Sequence, residues 1–263
     1  MVRIINLIVL WFFLSPICLH AEALADLEEF DLRTYRVENH GLKDLIFDIR
    51  SPEMFNELTS NLSLGKLIDV YVRVYWTSPG RYKLSVEGLP KGFSDIEDSI
   101  KLSVKPFLEF VMPEKVAPKF RSYKLSSKII SKNTIITGND ETGNKPVLKI
   151  EATLDSKLRL QRIATESIQG RAQIDFDYTV KSWSANKWVV DKAVTVNGNE
   201  SAKTVTTQTI SYDHVSGFGF PQKIVLNTKE FLGGKQSGQE RRRIYNFSGY
   251  EVNTGKAQHM ITK

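Results

Sequence analysis

The sequence predicts an α+β fold in which two amphipathic helices cover an antiparallel sheet of about eight to eleven strands. Three features carry this expectation. Apolar residues recur at helical spacing in two places in the first half; from about Tyr123 they alternate with polar residues at a period of two; and no helical period of any length follows Pro118. The 263 residues are 41% apolar and 25% charged, a globular composition that excludes a disordered or fibrous chain.

The chain opens with Arg3, an apolar run from Ile4 to Cys18 and the triplet Ala21-Glu22-Ala23. That order is that of an export leader with an A-x-A cleavage site, so residues 1–23 are expected to be removed and 24–263 to form one domain. A membrane anchor is one alternative, although the run falls short of the roughly 20 residues a span needs. A lipoprotein leader is another, with Cys18 at the end of the run but bulky Ile17 before it. Cleavage removes the single cysteine, which suits an oxidising compartment where disulfides are possible but unused. No later stretch is long and apolar enough to span a bilayer, so a soluble, exported product is expected.

Leu24, Leu27, Phe30, Tyr35 and Val37 predict the first helix, ending before Gly41. Leu45, Phe47 and Ile49 then alternate with Asp44, Asp48 and Arg50, as in a half-buried strand. Val70, Val72, Val74 and Trp76, the turn Ser78-Pro79-Gly80, and Tyr82, Leu84 and Val86 make the clearest hairpin. Ser94 and Glu97 have capping-box spacing ahead of Ile96, Ile100, Val104, Phe107 and Val111, predicting a second helix over Asp95–Met112 that Pro106 bends or splits. Beyond Pro118 follow strands: Ile150 to Leu160 around Asp155-Ser156, the long alternation Ala172 to Val180, and Trp188 to Val196 ahead of Asn197-Gly198, a type I′ hairpin signature. A Thr-rich strand from Lys203 to Tyr212 and strands over 223–227 and 241–252 complete the set.

Reactive chemistry is scarce. Asp175 and Asp177 share a strand face about 7 Å apart, a spacing open to paired acids, but Gln173, Thr179 and Lys181 beside them favour a solvated face. Gly217-Phe218-Gly219 lacks the strand, helix and third glycine of a dinucleotide loop, and His214 and Ser216 lack a nucleophile elbow. The four histidines have no ligand spacing, so neither metal nor cofactor is expected. Arg241, Arg242 and Arg243 alternate between faces and form no patch, and a net charge of +6 does not argue for nucleic acid. No enzyme activity is expected.

Two helices are little cover for so much sheet. A strongly curved sheet can leave part of its concave face lined but not filled, the setting for an acyl chain; a fully packed core fits the same pattern. The order of elements adds to this. An N-terminal helix and strand (Leu27 to Ile49), the Trp76-Thr77-Ser78-Pro79-Gly80 hairpin, a central helix, long strands and the closing Phe247-Ser248-Gly249-Tyr250-Glu251-Val252-Asn253 resemble the bacterial lipoprotein carrier and receptor superfamily of the LolA, LolB and RseB type.

The resemblance implies an unclosed half-barrel covered on its concave face by a few helices, and a periplasmic, non-enzymatic protein that binds a lipid, an acyl chain or a lipoprotein in an apolar cavity. Outer-membrane lipoprotein sorting is the transport role it implies. Phe47, Val72, Val74, Trp76, Leu84, Ile174, Phe176 and Tyr178, each on the apolar side of its strand, are then the expected lining. Expected partners are acyl chains and envelope proteins, with at most peripheral membrane contact, no nucleic acid and a monomeric state. The alternative is a periplasmic interaction or envelope-sensing module with a packed core.

Overall fold

The computed structural model describes residues 22–60 and 70–262; the expected leader, but for its last two residues, lies outside them. One antiparallel sheet of twelve strands dominates. In chain order the strands are β1 (Asp44–Arg50), β2 (Tyr71–Thr77), β3 (Arg81–Glu87), β4 (Lys124–Ile130), β5 (Asn133–Asn139), β6 (Val147–Leu154), β7 (Leu160–Ser167), β8 (Gly170–Val180), β9 (Trp188–Gly198), β10 (Ala202–Val215), β11 (Phe218–Leu232) and β12 (Lys235–Val252). From β4 to β12 each strand pairs with the next. β1 then joins β12 and carries β2 and β3, leaving β3 and β4 as the two edges of a sheet that does not close into a barrel.

The helices are α1 (residues 22–33), α2 (Pro52–Thr59), α3 (Ser94–Val104), α4 (Leu108–Val111), α5 (Ala117–Phe120) and α6 (Lys256–Thr262), with 3-10 turns at Val37–His40 and Lys105–Phe107. None of them is long and apolar enough to cross a membrane. Pro106 splits the second predicted helix as expected: α3 stops at Val104, and the proline sits in the 3-10 turn that separates it from α4.

Other expectations need correction. The first helix ends at residue 33, not before Gly41, because Thr34 forms a parallel bridge to Trp188 and the Tyr35 N–H donates to the Trp188 carbonyl at 2.9 Å. The capping box does not form: Phe93 is the N-cap, Ser94 lies inside α3, and Glu97 pairs with Lys101 at 2.6 Å. The β9–β10 turn comes two residues later than Asn197-Gly198. Those two residues stay in the ladder, and Asn199 makes the turn, its Oδ1 accepting from the N–H groups of Ser201 and Ala202 at 2.9 and 3.0 Å. The short helices α2 and α6 carry too few periodic residues to be read from sequence.

β1 is buried on both faces rather than half-buried, because it lies between β2 and β12 and is covered from both sides. Phe47 and Ile49 face one way; Ile46, with Tyr75, packs the other way against Ala257 of α6. Since successive strand residues point to opposite faces, α6 lies on the face opposite to α2 and α3.

On the first of those faces the core is divided. One cluster joins β1, β2, β11 and β12 to Met54 and Phe55 of α2 and to Ile100, Val104, Phe107, Leu108 and Val111 around α3 and α4. The other joins Ala23, Leu27 and Phe30 of α1 and Ala117 and Phe120 of α5 to Ile136, Ile150, Ala152 and Leu154. Each fully buried Leu, Val or Phe adds about 1.5–3 kcal/mol, so both clusters anchor the fold.

Candidate functional site: a cavity between two cores

Between the clusters, over β7 to β10, lies a cavity of about 440 Å³. Its floor takes Ile174, Phe176 and Tyr178 from β8, Val190, Ala193, Thr195 and Asn197 from β9, and Thr206, Gln208 and Tyr212 from β10. Register explains the convergence: Phe176 lies opposite Ala193 and Ile174 opposite Thr195, so these residues share one sheet face. Ala193 leaves the space that a larger side chain would fill. The roof comes from Phe30 of α1, from Tyr35 just beyond the end of that helix, and from Pro106, Phe110, Val111 and Val116.

Aromatic rings fix the upper end. Phe30 stacks on Trp188 at 6.1 Å and meets Tyr178 edge-on at 5.8 Å, and Trp183 sits against both Tyr35 and Tyr212. The Tyr212 hydroxyl donates to the Val190 carbonyl at 2.8 Å, and the Tyr35 hydroxyl accepts from the Gly219 N–H at 3.1 Å. Burial pushes the hydroxyls of Tyr35, Tyr178 and Tyr212 above the ordinary tyrosine pKa, so all three stay neutral over the physiological range.

A buried ion pair holds the roof. Arg36 and Asp31, with side chains 2% and 6% exposed, meet at 2.9 Å. The Asp31 carboxylate also accepts from the N–H groups of Val116 and Ala117 at 2.8 and 2.9 Å, while Arg36 donates to the carbonyls of Pro113 and Glu114. Four groups on the segment 113–117 are thereby tied to the end of α1. Sequence reasoning missed this pair because a continuous helix would place residues five apart on different faces. Outside the roof, an open groove of about 690 Å³ runs past Trp76, Pro79 and Tyr82 and shares Arg36, Pro106 and Pro113 with the cavity.

The eight expected lining residues do not converge. Ile174, Phe176 and Tyr178 are half-buried and line the cavity. Phe47, Val72 and Val74 are 0% exposed inside the first packed cluster, Trp76 is 2% exposed there with an edge on the outer groove, and Leu84 packs against the same cluster. They share a sheet face with the cavity, but α2 and α3 fill the space above them.

Asp175 and Asp177 lie on the opposite, solvated side, paired with Arg162 at 2.6 Å and Lys192 at 3.9 Å, with side chains 36% and 72% exposed. They are not in a cleft. Among the described residues no cluster of His, Cys, Asp and Glu is arranged to hold a metal ion.

The sequence matches no protein-family model and no curated protein sequence. Among solved structures, a porin-like protein from Bacteroides uniformis aligns at 7% identity with a TM-score of 0.18, over 81% of this chain and 96% of that one. A score that low carries no argument about fold or function.

Proposed function

We propose that this chain is a non-enzymatic, periplasmic binding protein that holds a lipid, an acyl chain or the acylated end of a lipoprotein, in the manner of the lipoprotein carriers its element order resembles. Its mature form starts near Leu24 and makes one domain. The sheet acts as an unclosed half-barrel, with α1 to α5 on its concave face and the ligand between the two clusters. Outer-membrane lipoprotein sorting is the transport role this reading entails.

The observation that carries the proposal is the cavity floor. Ile174, Phe176 and Tyr178 keep solvent access in the middle of a face that is packed on both sides. Leaving large apolar side chains half-covered forgoes stabilisation that a few more side chains would supply. A cavity of this size, mostly apolar with a few polar groups, has the usual make-up of a small-molecule site.

The test is binding of a fluorescent fatty-acyl probe to the purified chain, with Ala193→Trp as the blocked variant. The indole would occupy the space above Ala193. Saturable binding by the wild type, lost in Ala193→Trp without loss of the folded circular dichroism spectrum, is the expected result. Absence of binding by the wild type would favour the packed interaction module instead. Native mass spectrometry of protein from its own host would identify the ligand.

A further inference from the structure

We infer that the occupant is a single-chain amphiphile whose uncharged, hydrogen-bonding head lies on a polar strip running from the cavity floor across β9, β10 and β11. The inference rests on the acyl-binding reading above and narrows it to a ligand class.

The Thr-rich strand is the source of the strip. On β10, Thr204, Thr206 and Gln208 lie opposite Asn197, Thr195 and Ala193 of β9, and Thr206 lies opposite Thr228 of β11, with their hydroxyls 3.2 Å apart. Thr195, Asn197, Thr206 and Gln208 line the same cavity as Phe176 and Trp188. Followed along the strands, the cavity wall therefore changes from aromatic rings at the Trp188 end to hydroxyls and carboxamides at the Asn197 end. The side chains of Thr195, Asn197 and Gln208 make no hydrogen bond among the described residues, so their donors and acceptors are open to a ligand.

Charge narrows the head further. The charges in the cavity wall are engaged, Arg36 with Asp31 and Lys119 with Glu114 and Glu109, and the two cations that follow the strip on the same face are matched, Arg241 by Glu230 and Arg243 by Glu57. Hydroxyls and carboxamides both donate and accept, so they suit a sugar hydroxyl or an amide better than a bare carboxylate or ammonium. A purely apolar ligand would strip water from these groups without replacing its hydrogen bonds. Size limits the tail: a cavity of about 440 Å³ lies toward the small end of small-molecule sites and suits one chain better than two.

The experiment compares four dodecyl ligands below their critical micelle concentrations by displacement of the fluorescent acyl probe: dodecyl maltoside, N-dodecanoyl glycinamide, dodecanoate and dodecyltrimethylammonium. At least one of the first two is expected to bind about tenfold more tightly than either charged ligand, and Thr206→Val/Gln208→Leu is expected to remove that advantage. Asn197→Leu should do the same independently. A circular dichroism spectrum and a thermal midpoint matching those of the wild type show that each variant has folded. A sugar source predicts preference for the maltoside, and an acylated peptide source predicts preference for the glycinamide. Equal affinity for all four heads, or a preference that survives both variants, overturns this inference and leaves acyl binding standing. Failure of the wild type to bind the probe or any of the four overturns the parent reading and this one with it.

Discussion

Asp31 and Arg36 form an ion pair at 2.9 Å that is almost wholly buried, and every atom of it that the roof needs is engaged: two backbone N–H groups on Asp31 and two carbonyls on Arg36. Such a pair owes its place to complete hydrogen bonding, since desolvation alone would make it unfavourable.

Asp31→Ala should therefore lower unfolding free energy by about 3–5 kcal/mol, because it leaves the Arg36 guanidinium buried without a counter-charge and two N–H groups without an acceptor. Urea unfolding followed by tryptophan fluorescence measures this. A loss below about 1 kcal/mol, the range of an exposed pair, would show that the pair does not carry the roof.

Val74→Glu and Phe176→Glu should part company although both positions are on the same sheet face. Val74 is 0% exposed in the packed cluster, so an unpaired carboxylate there should cost several kcal/mol or prevent folding. Phe176 borders the cavity and is half-buried, so water can reach the new carboxylate; thermal stability should fall modestly while acyl-probe binding disappears. Equal melting temperatures for the two variants would contradict the division of the core.

Alkaline pH should destabilise the fold through its buried tyrosines. Burial raises Tyr245 to about 12 and raises Tyr178 and Tyr212 as well. The folded state thus holds these protons after the unfolded chain has released them. The contribution is complete below about pH 10, the unfolded value, and is lost as pH rises through the folded one. Absorbance at 295 nm should show exposed tyrosines ionising first, the half-buried Tyr178 and Tyr212 of the cavity wall later, and Tyr245, 2% exposed, only with loss of the fold.

Gly219→Ala should cost about 1–3 kcal/mol, an overpacking effect. A Cβ there would stand 2.1 Å from the Trp183 ring, which cannot retreat without leaving Tyr35 and Tyr212. A thermal melt of the variant beside the wild type tests this, and an unchanged midpoint would show that the ring has room.

Much of the sheet was legible because alternation reports a face directly: β2, β3 and β8 lie where the pattern of Val72, Val74 and Trp76, of Leu84, and of Ile174 and Phe176 placed them. Alternation does not report what lies above the face. Phe47 and Val74 are core because Met54 and Phe55 belong to α2, an eight-residue helix with little periodic signature. The polar end of the cavity was hidden for another reason. The Thr-rich strand is plain in sequence, but setting Thr206 opposite both Thr195 and Thr228 requires knowing that β9, β10 and β11 are neighbours, and in what register. Long strands were also read short, since β12 extends back to Lys235 through residues that alternate in neither size nor polarity.

The pairing of β1 with β12 sets Leu45 opposite Val252, two residues from far ends of the described chain. Until the last strand has been synthesised, β1 to β3 have no sheet to join, and Phe47 of β1 has no Phe247 to stack on. High contact order of this kind makes for slow folding and a long interval in which apolar surface is open to other chains. A nascent chain stopped before Phe247 would consequently offer those surfaces to a chaperone rather than to itself, and crosslinking to β1 should persist until that point of elongation has passed.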